Sequence, residues 1–170
     1  GLEIITETTV RFVREVMRLG VAGIFLAVQH AQYGLLSEQE YLAWGKPYDL
    51  RVLQATEGAW FNLLHLHGSE VMFDACADYP VQVINWHDRE TPPTLVEGLK
   101  RFPGAVCGGL RQWETIVRGT PEDVRAEALD AIRQTAGRRF ILGTGCVTPI
   151  VAPTCNIRAT RQAVEVGRGD

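Results

Sequence analysis

The chain has 170 residues, of which 46% are hydrophobic and 22% charged, with a formal net charge of −3 and a pI near 5.8. This composition is typical of a globular domain with a real core, and it argues against a nucleic-acid-binding or anionic-membrane surface. No apolar run reaches the roughly 18 residues of a membrane span, and the four cysteines are too scattered for a disulfide scaffold. We therefore expect a reduced, cytoplasmic protein.

The first half of the sequence predicts helices that alternate with short apolar strands. Apolar residues keep helical spacing over residues 6–19, with Thr6 in a capping position. Ser37 and Glu40 form a capping box that opens a second helix, and Pro47 suits the first turn of a third. In chain order we predict a helix over 6–19, a strand over 21–28, a helix from Ser37, a helix from Pro47 to about Ala55, a strand over 60–67, a helix from Ser69 to about Asp78 and a strand over 81–86.

The second half continues this alternation. Residues 120–123, Thr-Pro-Glu-Asp, combine a cap, a proline at the first helical position and acidic residues in the first turn, which together indicate a helix start. Here we predict helices over 94–102, from Thr120 to about Gln134 and over 154–166, with strands over 105–110 and 140–146. Continuous apolar strands separated by helices indicate a parallel sheet covered by helices.

The predicted order of elements gives the fold class. About five strand–helix units follow the first helix, and none of them reads as a hairpin. We therefore predict a single α/β domain over residues 1–170. A (β/α)8 TIM-type barrel usually takes about 250 residues, so the chain is either an open parallel sheet or most of a barrel whose N-terminal strands are absent.

The ends of the predicted strands carry the residues that could do chemistry. Active sites of parallel α/β folds form at these carboxyl ends, and all four histidines lie at or just beyond one of them. Because side chains alternate along a strand, His65 and His67 should point to the same side, and Gly68 lets the backbone turn away. The residues gathered in this way are His30, His65, His67, His87, Asp88, Arg111 and Cys146.

A metal site is one interpretation of this group. Imidazole and thiolate are typical zinc ligands, and three protein ligands with one open position are typical of catalytic zinc. His65, His67 and Cys146 would supply three such ligands from two strands. The alternative is that the histidines hydrogen-bond to loop carbonyls and the thiol is inert, and a lone His-x-His pair does not decide between the two.

The remaining candidates have catalytic or substrate-binding interpretations. His87 and Asp88 could form an acid–base pair in which the carboxylate orients the imidazole, or Asp88 could belong to an ion pair at the rim. Arg111 could hold a carboxylate or phosphate through its planar guanidinium group, or it could be a surface residue. His30 and Trp86 are further candidates for substrate binding, although the tryptophans are also expected in packing.

Several segments together resemble the uroporphyrinogen decarboxylase superfamily. Residues 140–146, Phe-Ile-Leu-Gly-Thr-Gly-Cys, with Pro149, Pro153 and Asn156-Ile157 behind them, are similar to its C-terminal signature. The likeness extends through residues 36–38, 47–48, 83–88, 108–110 and 119–122, and so covers nearly the whole chain. It implies a (β/α)8 barrel, of which this chain would hold roughly the fourth to the eighth strand. That placement would also explain a chain that begins with Gly1 rather than Met.

Within this superfamily the chain is closer to the corrinoid- or thiol-dependent methyltransferases. Those enzymes carry a His-x-Cys-Gly motif and a later cysteine as zinc ligands, and here His65-Leu66-His67-Gly68 and Cys146 stand in similar positions. His67 replaces the first cysteine; imidazole still binds zinc, but the site is less rich in thiolate. The resemblance thus implies zinc as cofactor, a corrinoid as a possible methyl donor and a thiol as acceptor.

Two alternatives remain open. True uroporphyrinogen decarboxylases bind a tetrapyrrole without metal or cofactor, and there Arg111 would contact an acidic group while His87 donates a proton. A third possibility is a non-catalytic member that binds a tetrapyrrole, a corrinoid or another chain. We expect a small-molecule substrate, no nucleic-acid or membrane partner, a possible homodimer, and missing barrel strands supplied by the rest of the polypeptide or by a partner.

Overall fold

A computed structural model describes residues 1–166, and helices and strands alternate along them. In chain order the elements are α1 (Leu2–Arg18), β1 (Phe25–Val28), α2 (Glu38–Trp44), α3 (Lys46–Gln54), β2 (Leu63–Leu66), α4 (Phe73–Cys76), β3 (Val83–Asn85), α5 (Leu95–Arg101), β4 (Ala105–Leu110), α6 (Pro121–Thr135), β5 (Phe140–Thr144) and α7 (Thr154–Val166). The five strands form a sheet in the order β1-β2-β3-β4-β5. The predicted α/β fold with a parallel sheet is therefore confirmed.

The chain divides into two compact units, Gly1–Ile84 and Asn85–Asp170. The last four residues of the predicted domain, 167–170, lie outside the described residues. Within residues 1–166, none of the helices combines the length and the apolar content that a membrane crossing requires.

The first unit is built on the parallel pair β1 and β2 and on a helical layer. Ala27 of β1 is in register with His65 of β2. Val10 and Val13 of α1 form a core cluster with Val52 and Ala55, from α3 and its end. These apolar side chains hold the helical layer together, and the strand register fixes where the end of β2 lies.

Two predicted helix starts in this unit are wrong. α1 begins at Leu2, and Thr6 is a buried residue inside it, because it continues the face that carries Val10 and Val13. α4 begins at Phe73 and not at Ser69, because the preceding residues form an antiparallel bridge between Val71 and Gln32. Both errors arise from long-range packing that a local capping pattern does not contain.

The strands β1 and β2 are also shorter than predicted. Asn62 lies just before β2, and its side-chain oxygen accepts the backbone N–H of Ile24 at 3.0 Å. The N–H groups of Trp60 and Phe61 both donate to the carbonyl of Ala22. A side chain and a shared carbonyl thus replace the regular ladder at this end, so the strands begin at Phe25 and Leu63.

In the second unit, β4 and β5 pair in parallel and are packed by helices. Leu110 lies at the end of β4 and is in register with Thr144. Its side chain belongs to a cluster with residues of α6, α7 and the loop before α6, which are Ile116, Val124, Ala128, Ala159 and Ala163. β4 has the predicted bounds, whereas β5 ends at Thr144, two residues before Cys146.

The helix starts of this unit follow the sequence. Thr94 caps α5 and Thr120 caps α6, each in a reciprocal capping box with the acidic residue three positions on. The Thr120 hydroxyl accepts the backbone N–H of Asp123 at 3.2 Å, and the Asp123 carboxylate accepts the N–H of Thr120 at 2.8 Å. Local sequence patterns therefore determine where α5 and α6 begin.

Replacing Thr120 by alanine should remove one half of this capping box. We expect the free energy of unfolding to fall by about 1 kcal/mol, because the first turn of α6 loses its side-chain acceptor. Urea denaturation measures the difference. As a control, Gln162→Ala on an exposed position of α7 should change stability by less than about 0.5 kcal/mol; equal effects of the two variants would contradict the capping argument.

Candidate functional site

Two histidines lie side by side at the end of β2. His65 is a buried residue of the strand and His67 follows it, and their ring centroids are 5.7 Å apart with the planes at 63°. The ring of Phe25 on β1 stacks against His65 at 5.8 Å between centroids. The two imidazoles therefore point to the same side of the strand, as their spacing predicts. The stacked ring of Phe25 fixes the orientation of the His65 imidazole.

The turn after His67 depends on a glycine. Gly68 has φ +88, in the left-handed region that favours glycine. A Cβ atom at this position would lie 2.2 Å from Oε1 of Gln32, so the turn also passes close to another side chain. The backbone of His67 is anchored before the turn, because its N–H donates to the carbonyl of Val28 at 3.0 Å.

In the second unit, the segment that carries Cys146 lies against His87. A Cβ atom on Gly145 would be only 2.8 Å from Cα of His87, so the glycine permits this close approach. The N–H of Gly145 donates to the carbonyl of Leu110 at 3.1 Å, which holds the segment at the end of β4. The carboxylate beside the imidazole is that of Glu90, at 3.4 Å from Nδ1.

Asp88, which the sequence pairs with His87, is held by β4. Its Oδ1 accepts the N–H of Gly109 at 2.9 Å, and its Oδ2 lies 4.0 Å from Nε of Arg89. Burial raises the pKa of Asp88 to about 6, although the Gly109 N–H and the Arg89 charge oppose the rise. A carboxyl group with this pKa can hold or release a proton near neutral pH.

Arg111 has an acidic partner within its own unit. Its guanidinium NH1 lies 2.6 Å from Oε1 of Glu127, and its backbone N–H donates to the other carboxylate oxygen at 3.1 Å. Arg89 makes a similar pair with Asp130 at 2.7 Å. An acidic substrate group at Arg111 would therefore share the guanidinium with Glu127, and substrate binding there stays a prediction.

The two other substrate-binding candidates have different surroundings. Trp86 has 0% of its surface exposed, donates its indole N–H to the carbonyl of Pro93 at 2.8 Å and packs against Gly98 of α5. This placement favours a packing role for Trp86 over the predicted substrate contact. His30 is exposed and lines a cavity of about 430 Å³ in the first unit.

Sequence reasoning missed several polar residues around these groups. The buried amide of Asn85 donates to the carbonyls of Cys107 at 2.8 Å and Thr144 at 3.1 Å, and so connects the end of β3 to β4 and β5. Its signal was a single amide inside an apolar strand. Glu90 and Glu127 gave no such signal, because their roles depend on helices and turns that come together only in the fold.

Each unit carries residues of the kind that bind zinc. Imidazole nitrogen and thiolate sulfur are typical ligands of zinc in tetrahedral sites. In the first unit these residues are His65, which is buried, and His67, which is half-buried. In the second unit they are His87, an acid–base candidate from the sequence, and Cys146, both half-buried.

Known proteins resemble this chain over parts of their length. Two curated relatives are uroporphyrinogen decarboxylases of Prochlorococcus marinus, from strains NATL2A and NATL1A; they are 26% and 24% identical over 115 residues, or 66% of this chain and 32% of each relative. A solved structure of a methyltransferase from Methanosarcina mazei matches this chain with a TM-score of 0.81 and 18% sequence identity. The match covers 98% of this chain and 48% of the methyltransferase chain. The chain thus spans about a third of the length of the curated relatives it matches and about half of that structure.

The structural likeness confirms the predicted fold class, a partial (β/α)8 barrel with a parallel five-stranded sheet. At 18% identity it is a likeness of fold. The sequence itself matches a family model described as uroporphyrinogen decarboxylase (URO-D) over residues 1–166. Since that match extends through both units, the chain belongs to the uroporphyrinogen decarboxylase (URO-D) family.

Proposed function

We propose that this chain forms part of a zinc-dependent methyltransferase of the URO-D family. It would transfer a methyl group to a thiol from a corrinoid or a similar donor. In this proposal His65, His67 and Cys146 hold the zinc and leave one position for the acceptor thiol. The observation that carries the proposal is the pair of imidazoles on one side of β2, 5.7 Å apart between ring centroids.

The residues of the first unit would hold their ligand atoms in advance of binding. The β2 backbone and the stacked ring of Phe25 fix the direction of the His65 imidazole, which is how supporting contacts orient metal ligands. The turn at Gly68 places His67 at the strand end rather than in the next helix. Bound zinc would lower the pKa of the acceptor thiol and so supply the thiolate that accepts a methyl group.

His87 and Asp88 would handle protons in this proposal. The thiol must lose a proton when it becomes a thiolate, and a group with a pKa near neutrality is suited to take it. Asp88 is held by Gly109 and has its pKa raised to about 6 by burial, so it meets this condition. His87 has Glu90 at its Nδ1 and would either relay the proton or serve as a further zinc ligand.

Metal analysis of variants separates the roles of these residues. We expect about one zinc per chain in the wild-type protein after dialysis, and at least about tenfold weaker zinc binding in Cys146→Ser, because serine is a poor ligand for zinc. Cys155→Ser on α7 is the matched control and should keep its zinc. If the His87→Gln variant keeps zinc but loses turnover, His87 has the proton-transfer role. If the variant loses zinc, His87 is a zinc ligand.

Two outcomes would contradict the methyltransferase proposal. If the wild-type protein contains no zinc, even after incubation with the metal, the proposed zinc site does not exist. If Cys146→Ser keeps its full zinc content, Cys146 is not a zinc ligand. Methyl transfer is measured as the consumption of a small alkanethiol in the presence of a methylated corrinoid. The corresponding alcohol serves as the control and should not be consumed.

A second candidate function is metal-free decarboxylation of a porphyrinogen. The names of the two curated relatives support it, as does the part-exposed guanidinium of Arg111, which could contact an acidic side chain of a tetrapyrrole. In this case His87 would donate the proton that replaces the lost carboxyl group. Turnover of uroporphyrinogen by protein treated with a chelator would establish this function and exclude the zinc-dependent one.

Other expectations from the sequence keep the status of predictions. These are a small-molecule substrate, no nucleic-acid or membrane partner, a homodimer, a cytoplasmic location and further barrel strands from the same polypeptide or a partner. A non-catalytic member of the family would bind a corrinoid or tetrapyrrole without turnover and would tolerate Cys146→Ser. The metal and activity measurements above distinguish that case as well.

A further inference from the structure

A cavity of about 430 Å³ lies in the first unit, where the end of β1 meets α2 and α3. This volume is within the range of small-molecule sites. The residues of the candidate metal group do not line it. Among the residues that do are Val28, His30, Tyr41, Trp44, Tyr48 and Asp49.

The cavity contains a carboxylate that is fixed in place. Oδ2 of Asp49 accepts hydrogen bonds from the hydroxyls of Tyr41 at 2.7 Å and Tyr79 at 3.0 Å. The two tyrosine hydroxyls are themselves 2.7 Å apart. Burial raises the pKa of Asp49, against the effect of these two hydrogen bonds, so the ionised form is costly without a positive charge nearby.

The basic residues of α3 are bound to other groups. Lys46 places its Nζ 2.7 Å from Oδ1 of Asp78 and 2.9 Å from the carbonyl of Ala75. Arg51 places NH1 at 2.6 Å from Glu3. In these contacts neither Lys46 nor Arg51 is bonded to Asp49, so a cation that enters the cavity can meet its carboxylate.

The wall of the cavity is aromatic. Trp44 lies at the end of α2 with 65% of its surface exposed, although the sequence suggested a packing role for it. Tyr48 lies four positions on, in α3, and the guanidinium carbon of Arg51 is 5.9 Å from the centroid of its ring, so this ring already attracts a cation. Aromatic faces beside a carboxylate are the usual means by which proteins bind alkylated ammonium groups.

We propose that this cavity binds a small organic cation with an alkylated ammonium group. Asp49 provides the opposite charge, and Trp44 and Tyr48 provide the aromatic surface. Tyr41 and Tyr79 hold the carboxylate in position. The proposal does not depend on zinc or on methyl transfer, because none of the candidate metal ligands takes part.

Calorimetric titration of the intact protein with two matched compounds tests this proposal. Choline carries the trimethylammonium group, and 3,3-dimethyl-1-butanol has the same shape without the charge. We expect choline to bind at least about tenfold more tightly, since that ratio corresponds to roughly 1.4 kcal/mol, a typical size for a partly desolvated cation–aromatic and ionic contact.

Two variants locate the binding. Asp49→Asn removes the charge but keeps an oxygen for the two tyrosine hydroxyls, and it should abolish the preference for choline. Trp44→Leu should weaken choline binding by about tenfold, and since Trp44 is largely exposed, this variant keeps the test valid if Asp49→Asn fails to fold. Trp60→Leu, at a residue of the same unit with 73% exposure and outside the cavity, is the control and should bind as the wild type does.

Four results would overturn the assignment. The first three are a failure of choline to bind, equal binding of the two compounds, and choline affinity that survives in both Asp49→Asn and Trp44→Leu. Binding that falls in Trp60→Leu as strongly as in Trp44→Leu would also place the ligand elsewhere. Measurement in the presence of a chelator keeps this test separate from the zinc site, so the failure of either proposal can be recognised by itself.

Discussion

Replacement of Trp86 by alanine is expected to cost about 3–5 kcal/mol of unfolding free energy. The indole has 0% exposure, and a Cβ atom on Gly98 would lie 2.6 Å from its Cη2 atom, so the ring fills the space left by that glycine. The substitution leaves a cavity against α5. It also leaves the carbonyl of Pro93 without the indole N–H, which lies at 2.8 Å in the intact protein.

Urea or thermal unfolding of the variant measures this loss. Trp60→Ala is the matched control, because Trp60 is 73% exposed and its removal should change stability by less than about 0.5 kcal/mol. Trp86→Phe should recover part of the loss, since it restores an aromatic ring but not the N–H donor. A Trp86→Ala variant that is as stable as the wild type but no longer binds substrate would instead support the role that the sequence suggested.

Replacement of Gly109 by alanine is expected to cost about 2–6 kcal/mol, from two separate causes. Gly109 has φ +103, a conformation that residues with a side chain rarely adopt. In addition, a Cβ atom there would lie 2.5 Å from Cβ of Ala131, a fully buried residue of α6. The strain should account for about 1–3 kcal/mol, and the overpacking against α6 for a similar amount.

A second glycine separates these two causes. Gly137 has φ +62 but no atom within 4 Å of an added Cβ, so Gly137→Ala should show only the conformational cost, about 1 kcal/mol. The difference between the two variants in chemical denaturation measures the crowding at Gly109. Equal losses would mean that α6 moves away at no cost, and the packing argument would then be wrong.

A disturbance of the backbone at Gly109 should also change the pKa of Asp88. The N–H of Gly109 is the donor to Oδ1 of Asp88, and it opposes the rise in pKa that burial causes. The stability of β4 and the acid–base role that we propose for Asp88 are therefore connected through one backbone N–H.

Local patterns predicted much of this fold because their physical causes are local. The capping box at Ser37 and the capped helix start at Thr120 each depend on residues within three positions of the cap, and the structure contains both. The alternation of apolar strands with helices predicted the parallel sheet, which the structure contains. The spacing of His65 and His67 predicted that both imidazoles lie on one side of β2, and they do. These features follow from backbone geometry within a few residues.

The tertiary structure decided which group each polar side chain meets. Glu90 lies beside His87, and the backbone N–H of Gly109 holds Asp88. Trp86 is buried against α5, and Asp49 is placed by two tyrosines, one of them 30 positions away. Burial and hydrogen bonding between distant segments depend on how strands and helices pack, and no local pattern contains that information.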